Sequence, residues 1–282
     1  NIPDPAANYS ALMAGNIHVW PQVQLSYAPQ LKEAKGFTLK SVAIPSINTL
    51  VMQTAKGPLT NVALRQAINY AMDRASMVVS ISQGFAQANG SLIPSSSPYY
   101  GKLQADSFNY DPAKVKELLK KANYRNEPIS MITNKNYSVM YDTGVMMQAL
   151  LQAAGLNVKL EVMDFATQLQ KYYSGDYVMM TWNYAPTLDP ALILDRVTGS
   201  KQAAASKIWD DPKARELVNQ LLAAPADKRQ AIYDAIQKLF DEDAPMLVWS
   251  SAQATDAYSN KVQGYETWAG RKPRFWGVSV SK

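Results

Sequence analysis

Ile129-Ser-Met-Ile-Thr133, Ser138-Val-Met-Tyr-Asp-Thr-Gly-Val-Met-Met-Gln-Ala-Leu-Leu-Gln-Ala-Ala154, Val158-Lys-Leu-Glu-Val-Met163, Ala166-Thr-Gln-Leu-Gln-Lys-Tyr-Tyr173 and Tyr177-Val-Met-Met-Thr-Trp182 follow one another along the chain. The first, third and fifth segments are short, apolar and rich in strand formers. The second and fourth repeat apolar residues at helical spacing, and Gly155 stops the longer of them. Strands separated by helices pair in parallel and carry the helices on their faces, so the expected fold class is α/β with a mixed, largely parallel sheet.

Working outward, Asp111-Pro112 supplies a cap and a proline at the first helical position, opening a helix through Val115, Leu118 and Leu119. A polar loop rich in Gly, Ser and Pro spans residues 83–101. Before it, Leu64, Ala67, Ile68 and Ala71 recur at helical spacing, and Asp73 caps a second helix carrying Met77, Val78 and Ile81. Residues 37–43 and 49–54 read as two short strands joined by a turn at Pro45-Ser46-Ile47-Asn48. The opening residues suggest a short helix over 6–15 and a strand over 17–20. Downstream, helices are expected over 212–222 and 228–240, and strands over 246–250, 254–258 and 275–280.

The chain of 282 residues has no cysteine and one histidine, His18. That excludes a Cys or His metal cage, a thiol nucleophile and a redox dithiol, and a Ser-His-Asp triad would require His18 itself. No cofactor or metal is expected. The net charge of +5 is mild for this length, and the densest basic run, Lys114, Lys116, Lys120 and Lys121, is broken by Glu117. It reads as a solvated helix face, and nucleic acid is not an expected partner. No apolar run approaches the roughly 18 residues of a membrane span.

Several segments, in order, resemble the cluster 5 solute-binding proteins of ABC importers, the family that includes dipeptide-, oligopeptide- and nickel-binding proteins. The strongest is Pro58-Leu-Thr-Asn-Val-Ala-Leu-Arg-Gln-Ala-Ile-Asn-Tyr-Ala-Met-Asp-Arg74. Supporting it are Ile93-Pro94, Asn109-Tyr-Asp-Pro-Ala-Lys-Val-Lys-Glu-Leu-Leu119, Leu150-Leu-Gln-Ala-Ala-Gly-Leu-Asn-Val158, Asp189-Pro190, Ala244-Pro245 and Val262-Gln-Gly-Tyr265. Each is weak alone; their order and spacing together are specific.

The resemblance implies a periplasmic binding protein-like lobe of class II type, a mixed sheet flanked by helices, with remnants of a second lobe. Residues 1–57 and 255–282 would belong to lobe I and residues 58–254 to a ligand-binding lobe II. Most of lobe I would precede Ala6, so the chain is expected to be part of a longer one. The implied function is capture of a small or peptide-like solute outside the cytoplasmic membrane, in the periplasm or tethered to a cell surface. A monomeric receptor would hand that solute to the permease subunits of an ABC importer, with no catalysis. A peptide-binding receptor or chaperone on the same scaffold is the alternative. A glycosidase-like hydrolase using Asp241, Glu242 and Asp243 is a weaker one, because adjacent residues at a helix end point different ways.

A ligand in such a fold lies at the carboxyl ends of strands. Two segments qualify: Trp182-Asn-Tyr184, which corresponds to the family's cleft segment, and Asn134-Lys-Asn-Tyr137. The expected ligand-binding residues are therefore Trp182, Tyr184, Asn134, Asn136, Tyr137 and Asn183, the aromatics as stacking walls with polar tips. One of Trp182 and Tyr184 could instead face the opposite side of the strand end as core. Peptide-binding members place an Asp a few residues after the aromatic; here that place falls on Ala185 or Pro186. A free α-amine would lack its partner there, which favours an anionic, aromatic or sugar-like solute. Asp189 reads first as a helix cap, Arg65 as a contact that positions its helix, and His18 as structural.

Overall fold

The computed structural model describes residues 2–281. The chain runs through α1 (Pro5–Met13), β1 (Val19–Trp20), α2 (Ala28–Glu33), β2 (Phe37–Met52), α3 (Val62–Tyr70), α4 (Arg74–Ser82) and β3 (Ala86–Ala88). Next come α5 (Lys102–Ala105), α6 (Pro112–Lys121), β4 (Ile129–Asn134), α7 (Ser138–Ala153), β5 (Val158–Met163), α8 (Phe165–Ser174) and β6 (Met179–Tyr184). It ends with α9 (Ala191–Val197), α10 (Pro212–Ala223), α11 (Ala226–Asp243), β7 (Met246–Ser259), β8 (Val262–Gln263) and β9 (Ser279–Val280).

One sheet has the order β1-β7-β2-β6-β4-β5, with β3 pairing β7 as well. Strand β4 pairs in parallel with β5 and β6, as the alternation of strands and helices requires. The sheet is less parallel than expected, however, because β2 runs antiparallel to both β6 and β7, and its pairing with β7 is the longest in the sheet.

Residues 45–48 do not form a turn. They lie inside the single 16-residue strand β2, whose register against β7 shifts between Ala43 and Ile47 and again at Asn48 and Thr49. Pro45 has no N–H to give to a ladder, and an irregularity in pairing is where a strand tolerates proline without ending. The strands expected at 246–250 and 254–258 are likewise one strand, β7, and of the strand expected at 275–280 only Ser279–Val280 forms.

Alternation along the central strands divides the core into two layers. Val51, Met180, Tyr184, Met246 and Val248 pack on α9, α10 and α11 through Leu194, Val218, Leu221, Ile236 and Phe240. Leu50, Met52, Met179, Leu247 and Trp249 face the other way, against Leu64, Ile68, Met77, Leu118, Met147 and Leu151 of α3, α4, α6 and α7. A third, smaller cluster joins Leu12, Trp20, Val23, Leu31 and Ala257. Strands β2 and β7 therefore pass continuously from the small cluster to the large core, and Leu50 and Met52 already lie within the latter, ahead of residue 58.

Helix starts follow the caps read from the sequence. The Asp73 and Asp111 side chains accept from the backbone N–H groups of Ser76 and Lys114. Gly175 closes α8 at φ +68°, a left-handed conformation that glycine adopts without a Cβ penalty.

Candidate functional site

Strands β4 and β6 are parallel neighbours, so their carboxyl ends lie at the same end of the sheet. A cavity of about 370 Å³ opens there on the α4 and α7 face. Asn183 from β6, Asn136 and Tyr137 from the loop after β4, and Asn48 from β2 contribute to its lining. Asn48 and Asn183 are direct partners across the antiparallel β2–β6 ladder, which brings two amides side by side. The opposite wall comes from residues distant in sequence, including Gln22, Gln253, Thr255 and Arg271.

The strand period separates the six expected residues. Asn183, Asn136 and Tyr137 meet at the cavity; Trp182 and Tyr184 lie on the other face of β6. Tyr184 is buried, and its hydroxyl lies 3.4 Å from that of Tyr172. Burial first, and the neighbouring Tyr172 next, push its phenol well above the ordinary range. Trp182 is half-buried, stacked flat on Tyr172 at 4.3 Å between ring centroids and facing Phe165 at 6.1 Å. Tyr137 abuts the same Phe165 edge-on at 4.9 Å, so an aromatic row leads from the cavity rim to Trp182.

Asn134 is fully buried and acts as a strut. Its amide donates to Gln168 Oε1 at 2.7 Å, and its oxygen accepts the backbone N–H of Tyr137 at 3.0 Å. Asn136 Oδ1 accepts the N–H of Phe165 at 2.9 Å and so fastens the loop to the start of α8. These two bonds hold Tyr137, which is half exposed, at the rim.

Sequence reasoning missed Gln22, Asn48, Gln253 and Arg271. Asn48 was hidden by reading residues 45–48 as a turn. The other three carry no local signal, because only long-range pairing brings them to this place.

Other singled-out residues have structural partners. Arg65 is buried and donates to the carbonyls of Leu59, Thr60, Asp243 and Ala244 at 2.6–3.1 Å, holding the start of α3 to the end of α11. Asp189 accepts the N–H of Ala191, pairs with Arg229 at 2.7 Å and accepts the Tyr233 hydroxyl. It anchors the segment after β6 to α11. The three acids at the end of α11 do not converge: Asp241 accepts from Ser107 and Gln237, and Asp243 from the Trp209 indole. His18 is half-buried beside β7, with its carbonyl accepting the N–H of Ser259.

One buried charge away from the cavity yields a pH prediction. The ammonium of Lys201, between α9 and α10, is buried with no hydrogen-bond partner. Desolvation lowers its pKa to about 8, against the attraction of Asp210 and aided by Arg65 and Lys56. An ordinary lysine titrates near 10.5. Between these values the unfolded chain binds the proton and the folded chain does not, so this group makes the fold more stable as pH rises through that window. In urea unfolding, Lys201→Met is expected to exceed the wild type in stability at pH 8, with the gap closing towards pH 10. A gap that stays constant with pH would refute this.

Residues 1–205 match the family described as bacterial extracellular solute-binding proteins, family 5 Middle. Among curated proteins, the dipeptide-binding protein of Escherichia coli K12 is 25% identical over 99% of this chain and 54% of its own length. Heme-binding protein A of Haemophilus influenzae is 25% identical over 99% of this chain and 52% of its own. Among solved structures, the ABC transporter-associated periplasmic binding protein DppA from Helicobacter pylori, in complex with the peptide STSA, superposes with a TM-score of 0.87. It is 26% identical and covers 100% of this chain and 56% of its own. The chain thus spans about half the length of the curated relatives it matches.

Proposed function

Because the chain belongs to the bacterial extracellular solute-binding proteins of family 5, we propose that it captures a small organic or peptide-like solute and presents it to an ABC permease. It works outside the cytoplasmic membrane, in the periplasm or tethered to the cell surface, as a monomer and without nucleic acid. It binds and releases without catalysis, consistent with relatives that are binding proteins and with acids at the end of α11 that do not converge.

The observation that carries this reading is the cavity at the carboxyl ends of β4 and β6, a concave site with convergent amides and an aromatic rim. Asn183, Asn136 and Tyr137 touch the solute. Asn134 positions Tyr137, and Trp182 supports the rim through Phe165 rather than by contact. The lobe I portion at residues 1–57 and 255–282 joins lobe II at 58–254 through β2 and β7, and the end of β2, with Leu50 and Met52 in the large core, already packs with lobe II.

Calorimetric titration of a panel of organic acids, sugars and short peptides tests the reading, with product analysis of each mixture. Saturable one-to-one binding with unchanged solute is expected. Conversion of any bound solute would overturn it, and a response confined to long extended peptides would favour a chaperone-like receptor instead.

A further inference from the structure

Of the twenty residues lining the cavity, Arg271 alone carries a formal charge, and no carboxylate is among them. The Arg271 Nε is buried without a hydrogen-bond partner. Among the described residues no ion pair reaches its guanidinium. Burial lowers the pKa of this group, with no acidic side chain opposing the effect. A charge kept in this state is costly unless something else supplies the counter-charge.

The backbone here is strained as well. Arg271 sits at φ +59° and Gln22, another residue of the same wall, at φ +53°, both in the left-handed region that non-glycine residues seldom occupy. Hydrogen bonds tie the two together. Gln22 Nε2 donates to the Arg271 carbonyl at 2.9 Å, and the Gln22 backbone N–H donates to Asp256 Oδ1 at 2.8 Å. The other oxygen of Asp256 accepts the Tyr265 hydroxyl at 2.8 Å. The buried carboxylate of Asp256 is thus engaged in fixing this wall.

From this we infer that the cavity takes an organic carboxylate carrying no nearby ammonium group, with Arg271 receiving the carboxylate and the Asn136, Asn183 and Gln253 amides reading the neutral polar part of the solute. The inference rests on the solute-capture reading and narrows it. The planar fork of a guanidinium matches two carboxylate oxygens. An ammonium in the same place would lose its water, find no anion and be repelled by Arg271. A neutral solute would satisfy the amides and leave the arginine as it is.

Two matched series test this in the 282-residue chain by calorimetry: gluconate, glucose and glucosamine; and N-acetyl-dialanine, N-acetyl-dialanine amide and dialanine amide. In at least one series the carboxylate is expected to bind at least ten-fold tighter than the matching amine. Arg271→Gln should erase that preference while the ligand-free melting temperature holds within a few degrees, and Arg271→Lys should retain part of it. Equal or tighter binding of the amine, or a preference that survives in Arg271→Gln, would overturn the inference and leave solute capture standing. Absence of binding by every member of both series would overturn the capture reading, and the inference with it.

Discussion

Replacing Arg74 by leucine is expected to remove about 4 kcal/mol of folding stability. Arg74 opens α4 and is buried, with 7% of its surface exposed. Its Nε donates to the Val248 carbonyl at 2.8 Å, and Nη1 donates to the carbonyls of Phe108 at 2.6 Å and Asn69 at 3.1 Å. Desolvation lowers its pKa to about 10, opposed by the charge of Asp241, so it stays protonated at neutral pH. Leucine would leave these carbonyls unpaired in a dry interior and Asp241 without its nearby cation. Arg74→Lys keeps the charge but not the fork, and a loss of about 2 kcal/mol is expected. Urea unfolding at pH 7 measures both. A loss below about 1 kcal/mol for the leucine variant would show that the carbonyls find water or other donors.

The same arginine explains why the 58–74 segment was so informative in the sequence. Asn61 and Asp73 cap the two helices, Leu64, Ala67 and Ile68 line one core layer, and Arg65 and Arg74 bind carbonyls of α11 and β7. Local periodicity and capping reveal the helices. They do not reveal that both arginines bind main chain rather than an anion, because the α11 and β7 carbonyls among their partners are more than 170 residues away in sequence. The parallel unit β4-α7-β5-α8-β6 was legible for the same local reasons. The union of residues 37–43 and 49–52 into one strand was not, since Pro45 is a turn signal unless a partner strand absorbs it as an irregularity.

The candidate site divides in the same way. Asn136, Tyr137 and Asn183 could be found because they follow strands whose carboxyl ends must lie together. Gln22 and Arg271 could not, because their place depends on bonds to Asp256 of β7 and on each other. Sequence alone also left open which face of β6 lines the cavity. The pairing of Asn48 with Asn183, both in its lining, places Asn183 towards the cavity, with Trp182 and Tyr184 towards the α9–α11 layer.

Tyr184 and Asn183 are therefore expected to give opposite phenotypes although they are adjacent. Tyr184 is 1% exposed and packs in the larger core beside Tyr172, so Tyr184→Ala removes a buried ring and leaves a cavity. The expected cost is about 4 kcal/mol, seen as a fall in the urea midpoint with an unchanged slope. Tyr184→Phe loses only a hydroxyl whose 3.4 Å partner is another phenol, and should stay within about 1 kcal/mol of wild type. Asn183→Ala faces the cavity and should hold stability within about 0.5 kcal/mol. It should weaken whichever carboxylate binds by about ten-fold, the value of one lost hydrogen bond to a charged or polar solute group. The pair of measurements separates roles that one strand places back to back. If Tyr184→Ala folds with near-normal stability but loses the solute, or if Asn183→Ala unfolds the protein, then β6 presents the other face to its ligand. The cavity would then have to be sought among Trp182, Phe165 and Tyr172.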